Sequence, residues 1–171
     1  MSQQRIDREK AENIARRHPA LGSLAQRRCR TVLVQPKPPH GDESDDGTDH
    51  VLVGLYDYEY NQSLIAVVDT KAEKVLAVEK ALGSFQLSEE ERREAEDYAS
   101  ADFRAEAFLA GRKANPLTRL YFPRHVAPIH RSHRFAIVFL RPNNSERRYA
   151  VVVLSESRVV DVLTRRDLSG R

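Results

Sequence analysis

Three histidines lie closer together than any others in this chain, and their side chains could bind a metal. His125, His130 and His133 share one predicted loop, and neutral imidazoles are ligands for zinc, nickel and copper. Their spacing fits no standard site, no cysteine joins them, and neighbouring arginines such as Arg124 would repel a cation. We therefore predict no metal and no other cofactor, and we interpret the histidines as solvated loop residues.

The same loop could instead bind an anion, because Arg124, His125, His130 and His133 lie together in one basic stretch. The alternative is a basic surface loop that lies near the acidic residues 42–49. The formal net charge of the chain is only +3, which is too mild to imply nucleic acid. We favour the surface loop and predict no nucleic-acid partner, while the four residues remain candidates for a binding surface.

Three tyrosines form the other candidate contact surface. Tyr56, Tyr58 and Tyr60 alternate along one predicted strand and so share one face. Tyrosine combines apolar area with a hydroxyl, which suits a contact surface, although the same side chains could cover the second face of the sheet or a seam between units. No phosphate-binding loop, GxSxG motif or Ser/His/Asp grouping is visible. The only cysteine, Cys29, is expected to be buried and inert.

Two similar hairpins organise the elements around these residues. Residues 64–78 and 148–162 each contain two β-branched runs around a short polar turn. The offset between them is 84 residues (150 − 66), and it also places the helical pattern of residues 8–15 on residues 92–99. We therefore predict an internal duplication into two α+β modules, residues 1–84 and residues 85–171.

Each module is predicted to be one helix packed on a four-stranded antiparallel sheet, because the helix covers the apolar face that the sheet must bury. The first helix is predicted over 6–18 with Asp7 as its cap. A capping box of Ser88 with Glu91 begins the second helix, and a further helical segment is predicted at 102–110. The predicted strands are 29–35, 50–60, 64–69, 74–78, 117–122, 135–140, 148–153 and 158–162.

Other segments carry predictions about packing and mobility. Residues 37–49 hold Pro, Gly and acids with nothing apolar to bury, so we expect a mobile loop. Residues 167–171 should fray. Residues 135–140 are apolar on both faces of their strand, so we expect the two modules to pack together.

The topology and several residues carry a family resemblance. A helix followed by four antiparallel strands resembles the cystatin-like arrangement. Leu64–Asp69 with Lys74 and Val75, followed by Gln86–Glu91 and Ala101–Phe103, is similar to the N-terminal domains of copper amine oxidases. In that family, two small α+β modules precede the catalytic β-sandwich. The resemblance implies two tandem cystatin-like modules with a peripheral, non-catalytic role.

The catalytic features of that family are not found in this chain. The family makes its quinone from the tyrosine of an Asn-Tyr-Asp/Glu motif, but Tyr56 follows Leu55, and Asn61 is followed by Gln62. The family's catalytic domain and its copper-binding His-x-His pair are also missing. We therefore expect no amine oxidase activity and carry no functional residue over from the family.

Two classes of function remain. The first is a non-catalytic binding or protein-interaction module that contacts a protein partner, or a second copy in a homodimer, through the Tyr-bearing strand or a sheet edge. The second is an enzyme or enzyme accessory protein with a small-molecule pocket at the module junction. The N-terminal residues lack the apolar core of a signal peptide, and no apolar run approaches a membrane span. We therefore expect a soluble, cytoplasmic protein with no membrane partner.

Overall fold

The computed structural model describes residues 7–22, 27–38, 50–112, 116–123, 133–142 and 147–169. In these segments the protein is α+β, with two four-stranded antiparallel sheets and a few helices, so the predicted class is confirmed. The contacts divide the chain into two compact units, Met1–Phe85 and Gln86–Arg171. None of the helices in the described segments is long and apolar enough to cross a membrane.

The first unit places a helix against a sheet with strand order β1-β2-β3-β4. Its elements are α1 (Arg8–Arg17), α2 (Pro19–Gly22), β1 (Cys29–Pro36), β2 (His50–Asp57), β3 (Gln62–Asp69) and β4 (Lys74–Lys80). Helix α1 begins as predicted, because the Asp7 side chain accepts a hydrogen bond of 2.9 Å from the backbone N–H of Lys10. Its fully buried Ala11 and Ala15 pack in one core cluster with strand residues such as Val53.

The second unit repeats this order, with its sheet arranged β5-β6-β7-β8. Its elements are α3 (Glu89–Ala101), α4 (Phe103–Leu109), β5 (Leu117–Tyr121), β6 (Phe135–Leu140), β7 (Arg148–Val153), β8 (Arg158–Thr164) and α5 (Arg165–Ser169). The predicted capping box begins α3. Ser88 Oγ accepts from the Glu91 N–H at 3.2 Å, and the Glu91 carboxylate accepts from the Ser88 N–H at 2.8 Å.

The two hairpins match each other in detail. Both carry a register shift, between Val67 and Val68 in the first unit and between Val151 and Val152 in the second. Both turns use one residue with positive φ, which is 51° at Glu73 and 55° at Ser157. Each of these positions is related to its counterpart by the 84-residue offset (157 − 73). The matches support an internal duplication, which stays a prediction.

The helices and outer strands also correspond. In each unit a strand threonine donates to a helix glutamate, Thr31 Oγ1 to Glu12 at 2.7 Å and Thr118 Oγ1 to Glu96 at 2.6 Å. The glutamates keep the offset of 84 (96 − 12), whereas the threonines differ by 87 (118 − 31). The chain therefore gains three residues between helix and first strand in the second unit, by the difference of these offsets.

Three predictions about elements need correction. The units contain more than one helix each: α4 matches the helical segment predicted at 102–110, whereas α2 and α5 were not predicted. The strand predicted over 50–60 ends at Asp57. Part of the tail predicted to fray is helical, because the Asp167 carboxylate accepts from the Thr164 N–H and hydroxyl, both at 2.7 Å. Residues 39–49 of the predicted mobile loop and residues 170–171 lie outside the described segments.

Candidate functional site

The predicted basic loop is described at only one of its candidate residues. Arg124, His125 and His130 lie outside the described segments. His133 lies in the second unit, where its Nδ1 is 3.1 Å from a carboxylate oxygen of Glu156. Its side chain is 16% exposed. In the part of the chain that the structure describes, no group of three His, Cys, Asp or Glu side chains is arranged to hold a metal ion.

The three candidate tyrosines lie at the end of β2, but only one is exposed. Tyr56 and Tyr58 are 3% and 4% exposed, and their rings pack edge to face with centroids 4.9 Å apart. Tyr60 is 57% exposed. It lies in the turn that follows Asp57, beyond the end of the strand. The prediction that strand alternation places Tyr60 on one face with Tyr56 is therefore wrong.

A buried aspartate ends the strand and forms this turn. Asp57 is fully buried, and its Oδ1 accepts from the N–H groups of Glu59 at 2.9 Å and Tyr60 at 3.3 Å. A carboxylate that bonds to the backbone two and three residues ahead favours a turn over a continuing strand. The turn is also held by the Tyr56 hydroxyl, which donates to Asn61 Oδ1 at 3.4 Å. Tyr60 is thus presented on a fixed turn.

Arginines within β1 and immediately before it pack on the tyrosines. The guanidinium carbon of Arg28 lies 4.7 Å from the Tyr58 ring centroid, and that of Arg27 lies 4.5 Å from the Tyr60 centroid. Arg30 approaches Tyr58 at 5.9 Å. These distances are in the range of cation–π contacts. We call the whole group the arginine–tyrosine cluster: Arg27, Arg28, Arg30, Tyr56, Tyr58 and Tyr60.

Our sequence interpretation missed the arginines of this cluster. Arg30 is the partner of Tyr56 in the β1–β2 register, and the backbone N–H of Tyr58 donates to the Arg28 carbonyl at 3.0 Å. A long segment, residues 37–49, separates these strands in sequence, so the spacing alone could not set the register. Two features of the sequence could have indicated the cluster: the pair Arg27-Arg28 immediately before a predicted strand, and the alternating tyrosines of the next predicted strand.

Arg27, whose side chain is 30% exposed, also lies near two acidic side chains. Its Nη1 is 3.7 Å from Asp57 Oδ2, and its Nε is 3.6 Å from a carboxylate oxygen of Glu59. Both separations are ion-pair distances that exceed a hydrogen bond. Asp57 Oδ2 is buried and has no hydrogen-bond partner among the described residues. The Arg27 guanidinium thus lies between two carboxylates and an aromatic ring.

Cys29 lies beside this cluster but is a poor nucleophile. It pairs with Asp57 across the β1–β2 ladder. Burial raises the pKa of the Cys29 thiol to about 11; Arg16 opposes this shift, and the carboxylates of Asp57 and Glu12 add to it. Only the thiolate is an effective nucleophile, so the thiol is unreactive near neutral pH.

The first unit also carries a shallow groove, which differs from a small-molecule pocket. It has a volume of about 500 Å³ and lies between α1 and the β3–β4 turn. Its lining is mostly charged, and a 2.8 Å ion pair between Lys10 and Glu73 involves two of its residues. Ligand pockets are usually apolar with a few convergent polar groups, and this groove lacks that character.

Two polar groups of the second unit have structural roles. Arg134 and Glu91 form a buried ion pair with an Nη2–Oε2 distance of 2.9 Å, and Arg134 also donates to the Gln86 carbonyl at 2.8 Å. Hydrogen bonds from the Arg104 side chain hold the pKa of Asp102 below its usual range. These contacts tie helices α3 and α4 to their surroundings.

Comparison with known proteins adds no functional assignment. No protein-family model matches the chain, and no curated protein matches its sequence. The arginine–tyrosine cluster is therefore the candidate functional surface in the described part of the chain.

Proposed function

We propose that the protein is a non-catalytic binding module that contacts a protein partner through the arginine–tyrosine cluster. The observation that carries the proposal is Tyr60, which is 57% exposed while Arg27 lies over its ring at 4.5 Å. Tyrosine and arginine are enriched among the residues that contribute most to protein interfaces. An exposed pair that is already ordered loses less conformational entropy when a partner binds.

The surroundings of Tyr60 suit such a contact. Hydrogen bonds of the buried Asp57 and Tyr56 side chains hold the turn that carries Tyr60, so the position of Tyr60 is fixed. The neighbouring strand β1 lies at an edge of its sheet. An edge strand offers unpaired backbone groups to an extended segment of a partner, which would add main-chain hydrogen bonds to the side-chain contact.

A second part of the proposal concerns the family that the chain resembles. We propose two tandem cystatin-like modules similar to the N-terminal domains of copper amine oxidases. Support comes from the helix and four antiparallel strands in each unit and from the matching hairpin registers. The high pKa of Cys29, about 11, favours a non-catalytic role for the surface near it. The proposal includes no quinone, copper or other cofactor.

Photo-crosslinking from the exposed anchor tests the binding function. A benzoylphenylalanine is placed at residue 60, and in a matched control at Leu76, which is 45% exposed on β4. We expect an adduct with one protein from position 60 only. Unlabelled wild-type protein should compete for it, and the Tyr60→Ala variant should not. Equal adducts from both positions, or adducts that no competitor reduces, would contradict the proposal.

A further inference from the structure

We infer that the partner presents an aspartate or glutamate side chain to Arg27, alongside the Tyr60 ring. This inference rests on the proposed function, because it names the chemistry that the same surface recognises. It is carried by the position of the Arg27 guanidinium, which lies too far from its acidic neighbours in the described segments to form hydrogen bonds with them.

The donors of Arg27 point to a carboxylate. A guanidinium carries five N–H donors in a planar fork, which matches the two oxygens of a carboxylate. In the described segments its two acidic neighbours stay at 3.6 and 3.7 Å, beyond hydrogen-bond distance. The Arg27 side chain is 30% exposed, so a partner can reach it.

The Tyr60 ring adds orientation to this recognition. The ring lies 4.5 Å from the guanidinium carbon, which restricts the plane of the fork before a partner arrives. A carboxylate that approaches in this plane meets two parallel donors, and the aromatic ring provides an apolar surface beside it. A lysine at this position would offer a point charge without the fork or the stacking.

The local charge favours a single acidic side chain over a polyanion. Glu59 is 57% exposed and lies 3.6 Å from Arg27, and buried Asp57 lies 3.7 Å away. These carboxylates would repel a chain of closely spaced phosphates. One partner carboxylate can displace Glu59, whose exposed ion pair is weak. Glu59 is therefore an internal competitor for the proposed ligand.

A peptide selection tests the inference directly. Random heptapeptides displayed on phage are selected on the full chain, with selection on the Arg27→Gln variant in parallel. We expect the wild-type protein to enrich peptides that share an acidic position and the variant to lose that enrichment. A selected peptide is then synthesised with Glu and with Gln at that position, and binding is measured by fluorescence anisotropy.

Four variants of the protein are expected to differ in their affinity for this synthetic peptide. We expect Arg27→Gln to weaken binding about tenfold or more, and to abolish the difference between the Glu and Gln peptides. Arg27→Lys should recover only part of the affinity, and Glu59→Gln should strengthen binding by about twofold to fivefold. Arg119→Gln, which removes an exposed arginine from β5, is the matched control and should have no effect.

The outcomes separate this inference from the proposed function. Selected peptides without a shared acid, or a Glu-to-Gln effect that persists in Arg27→Gln, would overturn the inference. If the residue 60 adduct still formed under those results, the binding function would stand without its acidic ligand. Loss of both the adduct and the peptide selectivity would overturn both. Thermal unfolding of each variant confirms that it remains folded.

Discussion

Two buried residues, Asp57 and the cluster member Tyr56, support the exposed Tyr60 of the arginine–tyrosine cluster. Asp57 and Tyr56 hold the turn by hydrogen bonds, while Tyr60 extends into solvent beneath Arg27. This division means that substitutions of the supports and of the anchor should have different effects. The supports should change the free energy of unfolding, whereas Tyr60→Ala should change it by only about 0.5 kcal/mol or less.

The Cys29 thiol gives a prediction about pH. Because burial raises its pKa to about 11, the native thiol should react with Ellman's reagent at pH 8 at least about a hundredfold more slowly than the thiol of the unfolded chain. The raised pKa also means that this group's contribution to stability is complete below pH 9 and is lost as the pH rises towards 11. A native rate within a few-fold of the rate in urea would contradict this account.

Gly54 gives a prediction about packing in β2. A Cβ at this position would lie 2.9 Å from Leu33 Cβ and 3.0 Å from the Phe85 ring. Gly54→Ala should therefore destabilise the protein by about 1–3 kcal/mol in urea unfolding. Gly83→Ala is the matched control, since nothing lies within 4 Å of its Cβ position, and it should be nearly neutral. Equal stability of the two variants would show that the site repacks without strain.

At the scale of elements, local sequence signals predicted the helix beginnings well. Asp7 caps α1, and Ser88 with Glu91 forms the capping box of α3, because these contacts involve residues only three apart. The end of β2 was predicted too late. Alternating tyrosines favoured a strand to residue 60, but the Asp57 carboxylate competes for the backbone N–H groups and forms a turn.

The sequence predicted the tyrosines of the candidate site but not its arginines. Tyr56, Tyr58 and Tyr60 are near one another in sequence, so their grouping needed no knowledge of the fold. The arginines join them through the β1–β2 pairing, which places Arg30 opposite Tyr56. Such a long-range register is set by packing of the whole sheet, and residue spacing does not reveal it.

The buried ion pair that links α3 to the beginning of β6 carries a prediction about stability. Glu91 and Arg134 have side chains 0% and 1% exposed, so removing one partner leaves a buried charge without compensation. We expect Arg134→Ala to reduce the free energy of unfolding by roughly 3–5 kcal/mol. Arg158→Ala, whose side chain is 56% exposed beside Glu156, should cost about 1 kcal/mol or less. Similar losses in the two variants would refute the importance of burial at this pair.

At the scale of the whole molecule, two units share one element order and one hairpin register. Their surfaces differ, since the arginine–tyrosine cluster belongs to the first unit. In the second unit, the position 84 residues after Asp57 is Arg141 (57 + 84). If the units arose by duplication, the proposed contact surface was therefore acquired or kept by one of them, and its proposed function is separable from the shared fold.

The most direct test of the central claim uses the partner protein that is identified by crosslinking from residue 60. Calorimetry measures the affinity of this partner for the intact chain. Tyr60→Ala should weaken binding by about thirtyfold or more, as expected for a central interface residue, while the free energy of unfolding changes by about 0.5 kcal/mol or less. Leu76→Ala, which truncates an exposed residue on β4, should leave the affinity unchanged. An affinity for Tyr60→Ala within twofold of wild type would contradict the account.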